Sequence, residues 1–295
     1  MFKRLLVCTD FSDGVYRFAH FVPSLAALGL EQLTFLHCVP LREIGGIPRV
    51  DTEKVDAAQQ RLNVALKSPS SGVNVTVMVE SGRAIDAISA AAQTHQADLI
   101  VLGMPTRNLL TEKLFGSTTM GLCQRSTVPL MVIRPQLVST YTAEEFDLRC
   151  RHLFRCLLVP YDGSNASKYL LDRLKQLAHD RSPNCLERLH LCWVVDDVGR
   201  RELPKDYQVE AAKEALASVK TELEVLKVQV APVEVRVGNP VLEVLEAAQM
   251  QDVSAIATSS GSIGKLLQWS IPSFTSELLR RSWHPIIYFP PSPTR

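Results

Sequence analysis

Residues 3–13 read KRLLVCTDFSD and residues 155–165 read RCLLVPYDGSN. In both, a basic or polar lead precedes a short apolar run, which ends in a turn where an Asp (Asp10, Asp162) stands two residues ahead of a Ser (Ser12, Ser164). The two Asp lie 152 positions apart (162 − 10). Later, STVPLMVIRP (126–135) and RSWHPIIYFP (281–290) each place a proline ahead of an apolar run, Pro129 and Pro285, 156 positions apart (285 − 129). The chain therefore reads as one unit written twice, with four extra residues in the second copy. A length of 295 residues also gives a prior of two domains at roughly 150 residues each.

Within the first copy, β-rich runs at 4–9, 33–39, 73–79, 98–103 and 129–134 alternate with helical periodicity near 13–28, 52–67, 83–95 and 116–126. The second copy repeats the order, with strands expected near 155–161, 188–195, 232–237, 253–258 and 285–289. Alternating strands and helices indicate βαβ units, and nearly continuous apolar strands such as LIVLG and LMVI indicate a parallel sheet covered on both faces. The expected fold is α/β, with two tandem doubly wound, five-stranded parallel-sheet domains over 1–137 and 153–295. The stretch QLVSTYTAEEFDLRCRH (136–152) shows neither periodicity, so 138–152 is expected to be a linker. Asn239-Pro240 is read as an N-cap followed by proline at the first helical position, Ser81-Gly82 as opening the matching helix, and 40–51 as a mobile loop.

Composition narrows the function. Lys plus Arg number 32 against 31 for Asp plus Glu, a net charge of +1, which gives no general attraction to nucleic acid or acidic membranes. No apolar run reaches the ~18 residues of a membrane span, and MFKRLLVCTDFSD meets an acid too early for a secretory signal, so a cytoplasmic location is expected. The seven cysteines form no CxxC, and Cys8, Cys38, Cys156 and Cys192 read as small buried hydrophobes. His37, His190, His20 and His95 are scattered, read as satisfied structural histidines, and support neither a metal site nor a catalytic triad. No GxxxxGK[ST] or GxGxxG occurs.

Ligands of doubly wound sheets sit at the carboxyl ends of the strands. That singles out Thr9, Asp10, Phe11 and Ser12 after the first strand, and after the fourth the stretch from Gly103 through Thr106 to Gly116, Ser117 and Thr118, which leads into a helix. A glycine followed by hydroxyls at a helix N-terminus has the makings of a phosphate cradle.

These features resemble the universal stress protein family, in a form with two such domains in one chain. The nucleotide-binding branch is similar in its early Asp and in a glycine pattern G-x2-G-x9-G-[ST], whose spacing Gly103, Thr106, Gly116 and Ser117 occupy, with Thr106 where the second glycine is usual. The resemblance implies a Rossmann-like, adenine nucleotide alpha-hydrolase-like fold and a stress-response module that binds ATP, with Mg2+, or AMP. By that resemblance Asp10 contacts the adenosine, the main chain at Cys38 or Val39 meets the adenine edge, Gly103 lies on the ribose, and Thr106, Gly116, Ser117 and Thr118 hold phosphates. Last strands of such domains pair with one another, which implies that 130–133 and 286–289 pair within a chain or in a homodimer.

In the second copy Asp162 matches Asp10, but the register set by Pro285 puts Ser259, Ser262 and Pro272 where the glycines would stand, leaving Ser273 in agreement. A shifted frame restores Gly261 and Gly264 and puts Phe274 at the third place. This second site is expected to bind nucleotide weakly, not at all, or to hold another ligand. Two alternatives stay open: a scaffold without nucleotide that acts through protein partners, and a slow ATPase. For catalysis the segment offers only hydroxyls, Lys113 and the distant Asp10, so no catalytic residue and no metal ligand is assigned.

Overall fold

The computed structural model describes residues 1–67, 72–104, 117–138, 142–197, 204–260 and 273–291. The chain divides into two compact units, one spanning Phe2–Arg151 and the other running from His152 to Arg295.

In the first unit, β1 (Arg4–Thr9), β2 (Gln32–Val39), β5 (Asn74–Ser81), β6 (Leu99–Gly103) and β7 (Leu130–Ile133) form a sheet in the order β5-β2-β1-β6-β7. Every pairing is parallel. The central strands are buried on both faces at Leu5, Leu6, Val7, Leu99, Ile100 and Val101, as parallel strands covered on both sides must be. The chain order reverses between β1 and β6, and there the sheet opens at its carboxyl end. Helices α3 (Ala84–Thr94) and α4 (Ser117–Arg125) stand beside that opening.

The second unit repeats the topology. Strands β8 (Cys156–Pro160), β9 (Arg188–Asp196), β12 (Ala255–Ser259) and β13 (Ile286–Phe289) run in the order β9-β8-β12-β13, again parallel. Its outer strand is split into β10 (Gln229–Val230) and β11 (Glu234–Gly238), both paired to β9. Pro232 lies in the gap and cannot donate to a ladder.

Four local expectations change. The first helix of the first unit is not one helix over 13–28. Gly14 takes a left-handed φ of 76°, a 3-10 turn follows at Val15–His20, and α1 (Val22–Ala26) restarts with Pro23 in its first turn. The loop 40–51 holds a two-stranded hairpin, β3 (Arg42–Ile44) and β4 (Ile47–Arg49), turned by Gly45 and Gly46, both left-handed, as a two-residue turn of this hand requires. The segment 138–152 is not a bare connection, because α6 (Ala143–Arg151) packs on the first unit. Phe146 stacks on Phe18 with centroids 5.4 Å apart and meets Phe21 edge-on at 4.8 Å. Ser81-Gly82 does not open α3: Arg83 stands at its N-cap without a capping side chain. The second unit shows the contrast, where Asn239 accepts from the amides of Val241 and Leu242 at the start of α9 (Pro240–Met250).

Candidate functional site

At the carboxyl ends of β1 and β6 lies a cavity of about 140 Å³ lined by Cys8, Thr9, Asp10, Asp13, Leu36, Cys38, Ala84, Ile88, Leu102, Gly103, Thr118 and Thr119. Its opening follows from register. β1 stops at Thr9, opposite His37, while β2 runs on beside β5 to Val39. Cys38 and Val39 therefore ladder on one side only, and Cys38 is half-buried with its side chain in the cavity wall. The expectation that Cys38 is simply a buried hydrophobe is thus corrected, whereas Cys8, Cys156 and Cys192 are buried. The carbonyl of Val39 accepts from the Gly82 amide at 3.0 Å.

The turn Thr9 to Asp13 is organised by its acids. Asp10 is exposed, and its Oδ1 accepts from the amide and the hydroxyl of Ser12 at 2.7 and 2.8 Å. Asp13, not among the site residues expected from sequence, is the buried acid, with 2% of its surface exposed. Its Oδ1 accepts from Thr9 Oγ1 and the Val15 amide, both at 2.9 Å, and its Oδ2 accepts from the Asp10 amide at 3.3 Å. Burial, with Asp10 adding to it, pushes the Asp13 carboxyl up to about 6 against the lowering effect of those donors. A Cβ on residue 103 would come within 2.4 Å of Asp13 Cβ, so Gly103 is needed here to admit Asp13, whatever else it contacts. The available signal was a second acid three residues after Asp10 and directly before Gly14.

Beside the turn, Phe11 holds a left-handed φ of 64°. Its ring lies 4.3 Å from that of His37, and the Arg61 guanidinium sits 4.3 Å from the rings of both Phe11 and Tyr16. His37 Nδ1 donates to the Thr9 carbonyl at 2.8 Å, a structural role that ties β2 to the turn. Ser117 opens α4, and Thr118 lines the cavity. Thr106, Gly116 and Lys113 lie outside the described residues, as do Gly261, Ser262, Gly264 and Pro272. Burial pushes the thiol of Cys38 up to about 11 and that of Cys8 well above its usual range.

The second unit uses the corresponding residues differently. Asp162 is exposed and accepts from the Ser164 amide at 3.0 Å. Ser164 caps α7 (Asn165–His179) by accepting from Ser167. Ser259 donates to the Phe289 carbonyl at 2.8 Å, and Ser273 caps α10 (Phe274–Arg281) by accepting from the Ser276 amide at 3.2 Å. The candidate second-site hydroxyls Ser259 and Ser273 thus hold strand and helix ends. Tyr161 and Trp193 meet edge-on at 5.8 Å, where the first unit has Thr9 and His37. His190 departs from the expectation of a satisfied histidine, since its buried Nε2 has no hydrogen-bond partner among the described residues.

Among the described residues no group of three metal-ligating side chains comes together, and no helix is long and apolar enough to cross a membrane. The family model described as the universal stress protein family matches residues 1–134 and again 154–290. Universal stress protein MJ0577 of Methanocaldococcus jannaschii is 23% identical over 155 residues, 45% of this chain and 96% of that protein. The crystal structure of a universal stress protein from Archaeoglobus fulgidus superposes with a TM-score of 0.65 at 19% identity, covering 97% of both chains. A functionally unknown protein of Pseudomonas aeruginosa PAO1 superposes with a TM-score of 0.60 at 14% identity, covering 98% of this chain and 92% of that one. At those identities the likeness establishes the shared fold, whereas the two matches of the family model take in most of the sequence: the chain belongs to the universal stress protein family, as a tandem of two of its domains.

Proposed function

We propose that the first domain binds an adenine nucleotide, ATP with Mg2+ or AMP, and that the protein serves as a binding or signalling module in a stress response. The observation that carries this reading is the cavity at the β1/β6 switch point, whose wall includes Thr9, Asp10, Cys38, Gly103 and Thr118. Its volume of about 140 Å³ is below the ~300 Å³ at which sites for drug-sized ligands begin. We assign it the nucleoside end, with phosphates directed to the helix start at Ser117 and to the glycine pattern through Thr106 and Gly116. The acceptors Asp10 and Thr9 suit ribose hydroxyls, and the helix N-terminus suits an anion.

The second domain is assigned no nucleotide, because Ser259, Ser273 and Ser164 already bond main-chain groups. It acts as a surface for other proteins. Small molecules released from the purified protein, identified by mass spectrometry, together with calorimetric titration of Mg-ATP and AMP, test the reading. One nucleotide per chain, lost in Gly116→Val and kept in Asp162→Ala, is expected. No nucleotide and no heat at millimolar ligand overturns it.

A further inference from the structure

Two carboxylates stand in a cavity assigned the nucleoside end of a ligand that is itself an anion. Among the described lining residues Asp10 and Asp13 are the charged groups, and none is Lys, Arg or His. From β1 the other titratable side chain is Cys8, and from β2 it is Cys38, with Glu80 of β5 acting on it. Both thiols are pushed up by burial and stay neutral at pH 7. From β6, α3 and α4 the lining side chains are Leu102, Gly103, Ala84, Ile88, Thr118 and Thr119, none of them titratable. Arg17, four residues past Asp13, points elsewhere, donating to the Val138 carbonyl and lying 4.5 Å over the Phe146 ring. His37 sits beside the turn with Nδ1 on the Thr9 carbonyl.

A ligand whose phosphates lie at the start of α4 carries its charge along the wall that Asp13 shares with Thr118, and Asp13 cannot swing clear of it. Its Oδ1 holds two donors, its Oδ2 holds a third, and its Cβ is packed against Gly103. The charge must then be screened or removed, and removal needs one proton on one oxygen. Oδ2 is the oxygen for it, since the 3.3 Å contact with the Asp10 amide is the weakest of the three.

We propose that binding of an anionic nucleotide in the first domain takes up a proton on Asp13, so that this side chain makes affinity depend on pH and on ligand charge. This rests on the nucleotide reading of the same cavity. No proton source beyond solvent is needed: the carboxylate gains H+ on binding and returns it on release. Because burial already lifts Asp13 to about 6, the proton is available close to neutral pH. A ligand admitted only to the protonated form would bind about 50-fold more tightly at pH 6 than at pH 8 by proton linkage.

The experiment is calorimetric titration of the full-length protein with AMP, metal-free, and with adenosine, at pH 6, 7 and 8. At pH 7 it is repeated in two buffers of different ionisation enthalpy to count protons. Wild type is expected to take up close to one proton per AMP at pH 7, to lose affinity steeply toward pH 8, and to bind neutral adenosine with a much shallower profile. Asp13→Asn shares the ligand's own ionisation and is expected to keep near pH 8 the affinity wild type shows at pH 6. AMP binding with the same pH profile in both proteins overturns the inference and leaves the nucleotide reading standing. No binding of either ligand at any pH overturns both. If Asp13→Asn fails to fold, wild type decides: proton uptake no larger than the free ligand's own ionisation accounts for rules the proposal out.

Discussion

The turn after the first strand is written TDFSDG in one domain and YDGSNA in the other, and the two solve the same topology in opposite ways. In the first domain Asp13 turns inward to collect the Thr9 hydroxyl and two amides. Gly14 then breaks the following helix into a 3-10 turn and a short α1, and Phe146 of α6 covers the result. In the second domain Asn165 simply begins a 15-residue helix behind a Ser164 cap, and Tyr161 and Trp193 fill the space at the strand ends. A regular helix start satisfies its backbone and leaves no acid buried. The irregular one buries an acid and keeps a cavity, walled by the small residues Thr9, Cys38 and Gly103. The duplicated fold needs only apolar strands in the right order, while the opening depends on a few side chains at their ends.

The largest expected effect tests whether α6 belongs to the first domain's solution. Phe146→Ala removes contacts to Phe18, Phe21 and Arg17 and should destabilise that domain by about 3–5 kcal/mol. The three tryptophans, Trp193, Trp269 and Trp283, all lie in the second copy, so their fluorescence follows that domain alone. Urea unfolding by circular dichroism should show an earlier transition in the variant, with the transition seen by fluorescence unmoved. A shift in both would break the comparison by making the segment common to the two domains.

Next in size is the residue that closes the fourth strand. Gly103→Ala drives a Cβ to 2.4 Å from Asp13 Cβ and should cost about 1–3 kcal/mol as an overpacked site. At the equivalent place Ser259→Ala gives up one hydrogen bond to the Phe289 carbonyl, on the order of 1 kcal/mol. Hydrogen exchange resolved to each domain measures both. A cost at Ser259 larger than at Gly103 would show that the first domain's turn yields more readily than its buried contacts indicate.

pH should separate the domains in opposite directions. Asp13 is raised from 3.8 to about 6 on folding, so the folded state binds the extra proton. Its contribution to stability is full below pH 3.8 and is lost as pH rises through 6, on the order of 2 kcal/mol. His190 is pushed below 6.5, chiefly by burial and also by Arg188, so its neutral form is favoured in the fold. That contribution is present above pH 6.5 and is lost as pH falls below it. Between pH 7 and 5 the first domain should therefore gain from Asp13 while the second loses from His190. Asp13→Asn should flatten the first trend and His190→Leu the second, each read by urea midpoints across pH. Parallel trends in the two domains would show that neither group dominates its own domain.

Much of this architecture was legible in apolar periodicity. LIVLG and LMVI could only be covered strands, and Asn239-Pro240 marked its helix start to the residue. The misreadings arose where tertiary contacts override local pattern. α6 has a weak sequence signature because only Phe146 and Cys150 face inward, and the hairpin at 42–49 is built from exposed residues, which carry no burial pattern. For the site, sequence named the exposed Asp10 and passed over Asp13. A turn acid announces itself by its type, but which of two acids three residues apart turns inward is set by the left-handed Gly14 and by the space that Gly103 leaves.

The smallest expected effect concerns the residue between them. Phe11 and Gly163 occupy equivalent positions, and both are left-handed, with φ of 64° and 72°. The non-glycine residue pays about 1–2 kcal/mol for that conformation. Against it stand the Phe11 contacts with His37 and Arg61, each of the order of 0.5–1 kcal/mol, and the extra freedom a glycine brings to the unfolded chain, about 0.5–1 kcal/mol. These nearly cancel, so Phe11→Gly should change stability by less than about 1 kcal/mol, toward the unfolded state. The reverse change has no such compensation. Gly163→Phe would incur the same strain and push a Cβ to 3.3 Å from the Trp193 ring, which is the far edge of an indole already packed on Tyr161. Midpoints from urea unfolding, by circular dichroism for the first variant and tryptophan fluorescence for the second, should rank Gly163→Phe as clearly the more damaging. A Phe11→Gly variant clearly more stable than wild type, beside a damaged Gly163→Phe, would mean that the strain, and not the neighbouring rings, sets which residue each turn accepts.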